Sequence, residues 1–95
     1  MDAEESTARH LRVRGRVQGV FFRASTRQRA REAGVNGWVR NRPDGSVEAW
    51  LEGDPEDVAV VERWIRGGGP RSARVDEVAA EDREPEGLGR FEIRR

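Results

Sequence analysis

Asn36-Gly-Trp-Val-Arg-Asn-Arg-Pro-Asp-Gly-Ser-Val-Glu-Ala-Trp-Leu-Glu-Gly53 is the stretch that decides the fold. Two strands, residues 36–42 and 46–53, flank Pro43-Asp44-Gly45. A three-residue hairpin loop of that composition puts Pro43 and Asp44 in the middle of a type I turn and Gly45 at the left-handed bulge position. The loop length sets the register. Arg42 faces Ser46, Arg40 faces Glu48 and Trp38 faces Trp50, while Asn41 faces Val47, Val39 faces Ala49 and Gly37 faces Leu51. One face then carries a charge pair and an aromatic pair, and the other carries the apolar set, as a hairpin with one buried face requires.

Outward from the hairpin, each side supplies a helix and a strand. Upstream, residues 10–17 alternate, with Leu11, Val13, Gly15 and Val17 on one side, and read as a half-buried strand. Residues 23–33 read as a helix stopped by Gly34, with a thin inner face of Phe22, Thr26, Ala30 and Ala33. Downstream, Asp54-Pro55-Glu56-Asp57 is a helix start: an acidic N-cap, proline at the first helical position, then acids in the first turn. Val58, Val61 and Ile65 form its core stripe, and the glycines at 67–69 end it. Residues 73–82 read as a strand whose apolar parity changes between Val75 and Val78, which predicts a bulge. A polar loop over 83–89 leads to a short last strand with Phe91 and Ile93 inward. The order is βαββαβ plus a short C-terminal strand. This is an α+β, ferredoxin-like arrangement with an antiparallel sheet and both helices on one face. Residues 1–8 are expected to be a disordered tail and residues 9–95 a single domain.

Ninety-five residues without cysteine exclude disulfides, thiolate metal sites and a Cys nucleophile. His10 is the only histidine, so a His cluster for a metal is excluded and no cofactor is expected. No run is long enough to cross a membrane, and the cytoplasm is the expected compartment. The formal charge is zero but uneven: residues 1–45 hold ten Arg against five acids, and residues 46–95 hold eight against thirteen. The first half suits an anion, and the acidic second half argues against general nucleic-acid binding. Glu56, Asp57 and Glu62 are expected on a solvated helix face, and Glu48 and Glu52 pointing outward from a strand. A monomer is expected.

The chemistry concentrates in Gly15-Arg-Val-Gln-Gly-Val-Phe-Phe-Arg23, which runs from a strand end into a helix start. Amides at a helix N-terminus lack partners, and a compact glycine-containing loop can turn several of them inward around an anion. Arg23 adds a planar fork of donors suited to two phosphate oxygens. The same pattern also fits a tight turn followed by a surface arginine. Asn41 is the second candidate. Its parity points it toward the helix-covered face, where an unpaired amide costs on the order of 1–3 kcal/mol. Either it bonds the nearby turn or it orients a water.

Gly15–Arg23 together with Gly37-Trp-Val-Arg-Asn-Arg-Pro-Asp-Gly-Ser-Val-Glu48 resembles the two signature segments of the acylphosphatase family, and Gly69-Pro-Arg-Ser-Ala-Arg-Val75 resembles the segment after that family's second helix. The resemblance implies a hydrolase that splits the carboxyl–phosphate anhydride of a small-molecule acyl phosphate without a metal. It implies that Arg23 binds the phosphate with the backbone of Arg16, Val17, Gln18, Gly19, Val20, Phe21 and Phe22. It implies that Asn41 positions the attacking water and that inorganic phosphate is a product inhibitor. The alternative is a non-catalytic anion-binding or regulatory module on the same fold; such a module needs the arginine and the loop but not the water-holding asparagine.

Overall fold

The computed structural model describes residues 6–95. Its elements are β1 (Thr7–Arg16), α1 (Phe22–Ala33), β2 (Asn36–Asn41), β3 (Val47–Gly53), α2 (Pro55–Arg66), β4 (Arg74–Arg83) and β5 (Phe91–Ile93). The hairpin forms in the expected register, with Trp38 opposite Trp50, Arg40 opposite Glu48 and Asn41 opposite Val47. Arg42 N–H donates to the Ser46 carbonyl at 2.8 Å and Gly45 N–H to the Arg42 carbonyl at 3.1 Å, with Gly45 at φ 91°. The Asp44 carboxylate accepts from the Ser46 hydroxyl and amide, and these bonds hold its pKa down to about 2.

The sheet order is β4-β1-β3-β2-β5. Phe22, Thr26 and Ala30 of α1 and Val58, Val61 and Ile65 of α2 are the buried helical residues. They pack with Leu11, Val13, Val39, Val47, Ala49 and Leu51 into one core, so both helices cover the same face. Arg14 faces Glu77 while Gly15 faces Val75, leaving Asp76 as an extra residue. That is the bulge behind the parity change in β4.

Four expectations are corrected. The sheet is mixed rather than antiparallel throughout, because β5 runs parallel to β2, with Gly37 opposite Phe91 and Val39 opposite Ile93. β4 finishes beside the start of β1, and residues 84–90 then carry the chain to the far edge at the end where β2 begins. A strand entering from there can only run alongside β2. Second, the expected tail ends too late: Thr7 and Ala8 belong to β1, with Ala8 buried between Glu52 and Arg83. Backbone pairing of Ala8 on both sides orders a segment too short, at two residues, to show an alternating strand pattern. The rest of that tail, residues 1–5, lies outside the described residues.

Third, Glu48 and Glu52 do face away from the helices but are buried. Glu48 accepts from Arg40 Nε at 2.7 Å and Arg42 Nη1 at 3.3 Å and pairs with His10. Burial opposes its ionisation, but the bonds from His10 and Arg40 win and keep its carboxyl below the usual carboxylate range. Fourth, Glu62 is not free in solvent. Arg9 reaches it at 2.8 Å and Arg66 at 2.9 Å, and the Arg9 bond leads in lowering its pKa. No helix of the described residues is long and apolar enough to cross a membrane.

Candidate active site

β1 runs out at Arg16, α1 begins at Phe22 and β2 ends at Asn41. Between them lies a concavity of about 360 Å³ lined by Val17, Gly19, Phe21, Phe22, Arg23, Ala24, Asn41 and Ile93. Arg23 and Asn41, distant in sequence, are thus brought to one cavity. Arg16, Gln18 and Val20, expected to offer their backbone amides, have their side chains outside this lining. Arg16 belongs to β1, opposite Arg74. Val20 is buried in the core. The Gln18 side chain turns to the hairpin, where its amide donates to the Arg42 and Ser46 carbonyls at 2.8 Å each. Ser72 Oγ donates to the Val20 carbonyl, also at 2.8 Å, and holds the loop from the far side.

The loop's backbone alternates in hand. Gly19 has φ 74° and Phe21 φ 61°, whereas Val20 between them is not in the positive-φ region and Phe22 after them opens the right-handed helix. Such alternation turns successive N–H groups toward a common hollow. Nothing lies within 4 Å of where a Gly19 Cβ would be, so conformation rather than space calls for glycine there. Phe21 is the N-cap of α1. It offers no side-chain cap, and the first turn holds no acid, so the first amides of the helix keep their donors for a ligand. Among the described residues, no amide of residues 17–22 donates to a backbone carbonyl outside the regular elements.

Arg23 is half-buried and, among the described residues, makes no ion pair, whereas Arg9, Arg14, Arg40 and Arg42 are all engaged. Asn41 Oδ1 is buried and, among the described residues, has no hydrogen-bond partner. The turn beside it is held by Asp44 and Gln18 instead. An orphaned acceptor beside such a hollow is satisfied by a donor that arrives there, such as a water. Arg23 and Asn41 were marked by residue type and position. The Gln18 tie and the Ile93 wall were not, because a polar loop side chain and a terminal strand residue carry no signal of which distant backbone they meet.

Residues 9–93 match the acylphosphatase family model. An acylphosphatase of Thermococcus kodakarensis is 55% identical over 84 residues, covering 88% of this chain and 91% of the relative. One of Haloarcula marismortui is 50% identical over 88 residues, covering 93% and 96%. The solved structure of an acylphosphatase from Coxiella burnetii superposes with a TM-score of 0.90 at 36% identity, covering 96% of this chain and 95% of that one.

Proposed function

The chain belongs to the acylphosphatase family and hydrolyses acyl phosphates to a carboxylate and inorganic phosphate, and we propose that Arg23 and the 17–22 amides bind the phosphoryl group while Asn41 orients the attacking water. The observation that carries this division of labour is that Asn41, whose buried Oδ1 has no partner among the described residues, lines the same hollow as Arg23.

The chemistry asks for little more. The leaving carboxylate has a conjugate acid of pKa about 4, so it departs without a general acid. What remains is to hold the phosphoryl oxygens where charge is spread and to align a water in line with the departing oxygen. Arg23 and the amides do the first. Asn41 accepts a hydrogen bond from the water and fixes its lone pair on phosphorus. An amide cannot take a proton, so the water's proton passes to a phosphate oxygen of the substrate as the P–O bond to the acyl group breaks. A cysteine-free chain suits the reducing cytoplasm. One subunit supplies every group named, so a monomer suffices.

The test is benzoyl phosphate hydrolysis in the presence of EDTA by two variants. Asn41→Ala should lower kcat about 10²–10³-fold, as loss of one positioned polar group does, with phosphate inhibition nearly intact. Arg23→Ala should weaken phosphate inhibition and kcat/KM together, since its fork serves ground and transition states alike. Equal loss of rate and phosphate affinity in Asn41→Ala would move Asn41 onto the phosphate. Unchanged phosphate inhibition in Arg23→Ala would remove Arg23 from the anion site.

A further inference from the structure

The hollow around Arg23 and Asn41 has an apolar side that phosphate binding leaves unexplained. Its volume of about 360 Å³ lies within the range of small-molecule sites and exceeds what a lone phosphoryl group fills. Val17, Ala24 and Ile93 bring aliphatic carbon to it, and Phe21 stands at its edge with its side chain in water. Phe21 is 81% exposed, and among the described residues only Val60 is another large apolar residue left outside. It is also the one non-glycine residue, among those described, with a left-handed backbone. An unburied ring and a disfavoured backbone hand both act against the folded state with no packing in return. Glycine or asparagine would serve the turn better. Strain of this kind, found at a site, points to a role there.

We propose that Phe21 is the acyl-binding wall of the site: its ring packs on the carbon group of the substrate and favours aromatic acyl phosphates over acetyl phosphate. This rests on the phosphoryl group sitting at Arg23 and the 17–22 loop. In-line displacement places the leaving carboxylate on the side of phosphorus away from the attacking water. With the water at Asn41, the acyl group is directed to the open side of the hollow, where Phe21 is the exposed apolar surface. Phosphate, fork and amides are common to every acyl phosphate, so only this rim can tell one acyl group from another. An aromatic acyl group meets the ring in offset or edge-on contact, whereas a methyl group covers little of it.

Benzoyl and acetyl phosphate hydrolysis by the wild type, Phe21→Asn and Phe21→Trp tests this. Asparagine accepts the left-handed backbone, so it removes the ring with the least disturbance of the loop; tryptophan keeps an aromatic face. The ratio of kcat/KM for benzoyl over acetyl phosphate should fall about 10-fold in Phe21→Asn, through the KM for benzoyl phosphate, and return in Phe21→Trp. Ten-fold is the low end of what one apolar contact contributes to discrimination. An unchanged ratio would overturn the proposal, and so would a parallel loss on both substrates, which would make Phe21 a determinant of loop shape alone. Failure of the phosphate-site reading is a different result: unaltered phosphate inhibition in Arg23→Ala, whatever the two ratios do.

Discussion

Two residues of the hollow hold conformations that cost stability, and each cost can be measured. Asn41 keeps a buried acceptor without a donor, and Phe21 keeps a left-handed backbone under a bulky side chain. The left-handed hand costs an ordinary L-residue roughly 1–2 kcal/mol, and asparagine bears it most easily after glycine. The ring of Phe21 is already in water, so its removal forfeits little burial. Phe21→Asn should therefore stabilise the fold by on the order of 1 kcal/mol, a rise of roughly 4–8 °C in Tm for a domain of this size. A thermal melt checks it, and a lower Tm would mean that the ring packs where the exposure says it does not. The two residues differ in how far the sequence shows them. Asn41 shares the parity of Val39, which places an amide on an apolar face and marks it at once. The left hand of Phe21 has no mark, because phenylalanine is not a residue chosen for that conformation.

The site depends on how the loop after β1 docks on the β2–β3 hairpin. Gln18 makes that join: one amide group donates to the carbonyls on both sides of the turn, Arg42 and Ser46. Each carbonyl also accepts from a turn amide, Gly45 N–H on Arg42 and Arg42 N–H on Ser46. Losing Gln18 therefore leaves neither carbonyl bare, and Gln18→Ala should cost only about 1 kcal/mol of stability. Its effect on rate should be larger. The loop carries the phosphate amides and leads into Arg23, while the hairpin carries Asn41, and a misplacement of about 1 Å between such groups costs on the order of 10²-fold. The expected outcome is a roughly 10- to 100-fold lower kcat with a Tm drop of roughly 4–8 °C. Stability and rate falling in proportion would make Gln18 a packing residue only. The hairpin itself was legible down to its register, because Pro43-Asp44-Gly45 selects one turn and that turn aligns both apolar and charged partners. The docking was not, since a glutamine beside a glycine fits any loop equally well. The same limit hides the place of Ile93 at the site: a three-residue strand shows its inward face but not its neighbour.

Across the whole molecule, charges far apart in sequence meet in space. The basic first half and the acidic second half looked like a field for anions, yet much of that asymmetry is consumed by pairing across the sheet: Arg9 with Glu62 and Asp82, Arg14 with Glu77, Arg40 and Arg42 with Glu48. Arg23 is set apart from these pairs by position rather than by net charge. The connection that determines the direction of β5 is held by another carboxylate. Glu52 accepts from Trp50 Nε1 at 2.9 Å and from the amides of Glu86, Gly87 and Leu88 at 2.9, 2.8 and 2.8 Å, while Asn36 Nδ2 donates to the Leu88 carbonyl at 2.8 Å and Leu88 packs beside Trp38 and Trp50. In the sequence Glu52 is one more outward acid on a strand, which is why the parallel edge was missed. Burial pushes its pKa up, but the four donors outweigh it and the carboxyl sits below the usual carboxylate range. A depressed folded-state value means that the ionised group contributes its full stability above the unfolded value of about 4.3 and loses it as pH falls through the lower folded value. Tm should thus be level above about pH 5 and fall below pH 4, with the amides of Glu86, Gly87 and Leu88 losing hydrogen-exchange protection early in the fall. Glu52→Ala at pH 7 leaves four donors without their acceptor and should cost about 2–3 kcal/mol, or more than 10 °C in Tm. Glu52→Gln should lower Tm at pH 7 and make the acid decline shallower. A variant that melts like the wild type at pH 7 and declines as steeply below pH 4 would show that the crossing connection is held by Leu88 and Asn36 rather than by this carboxylate.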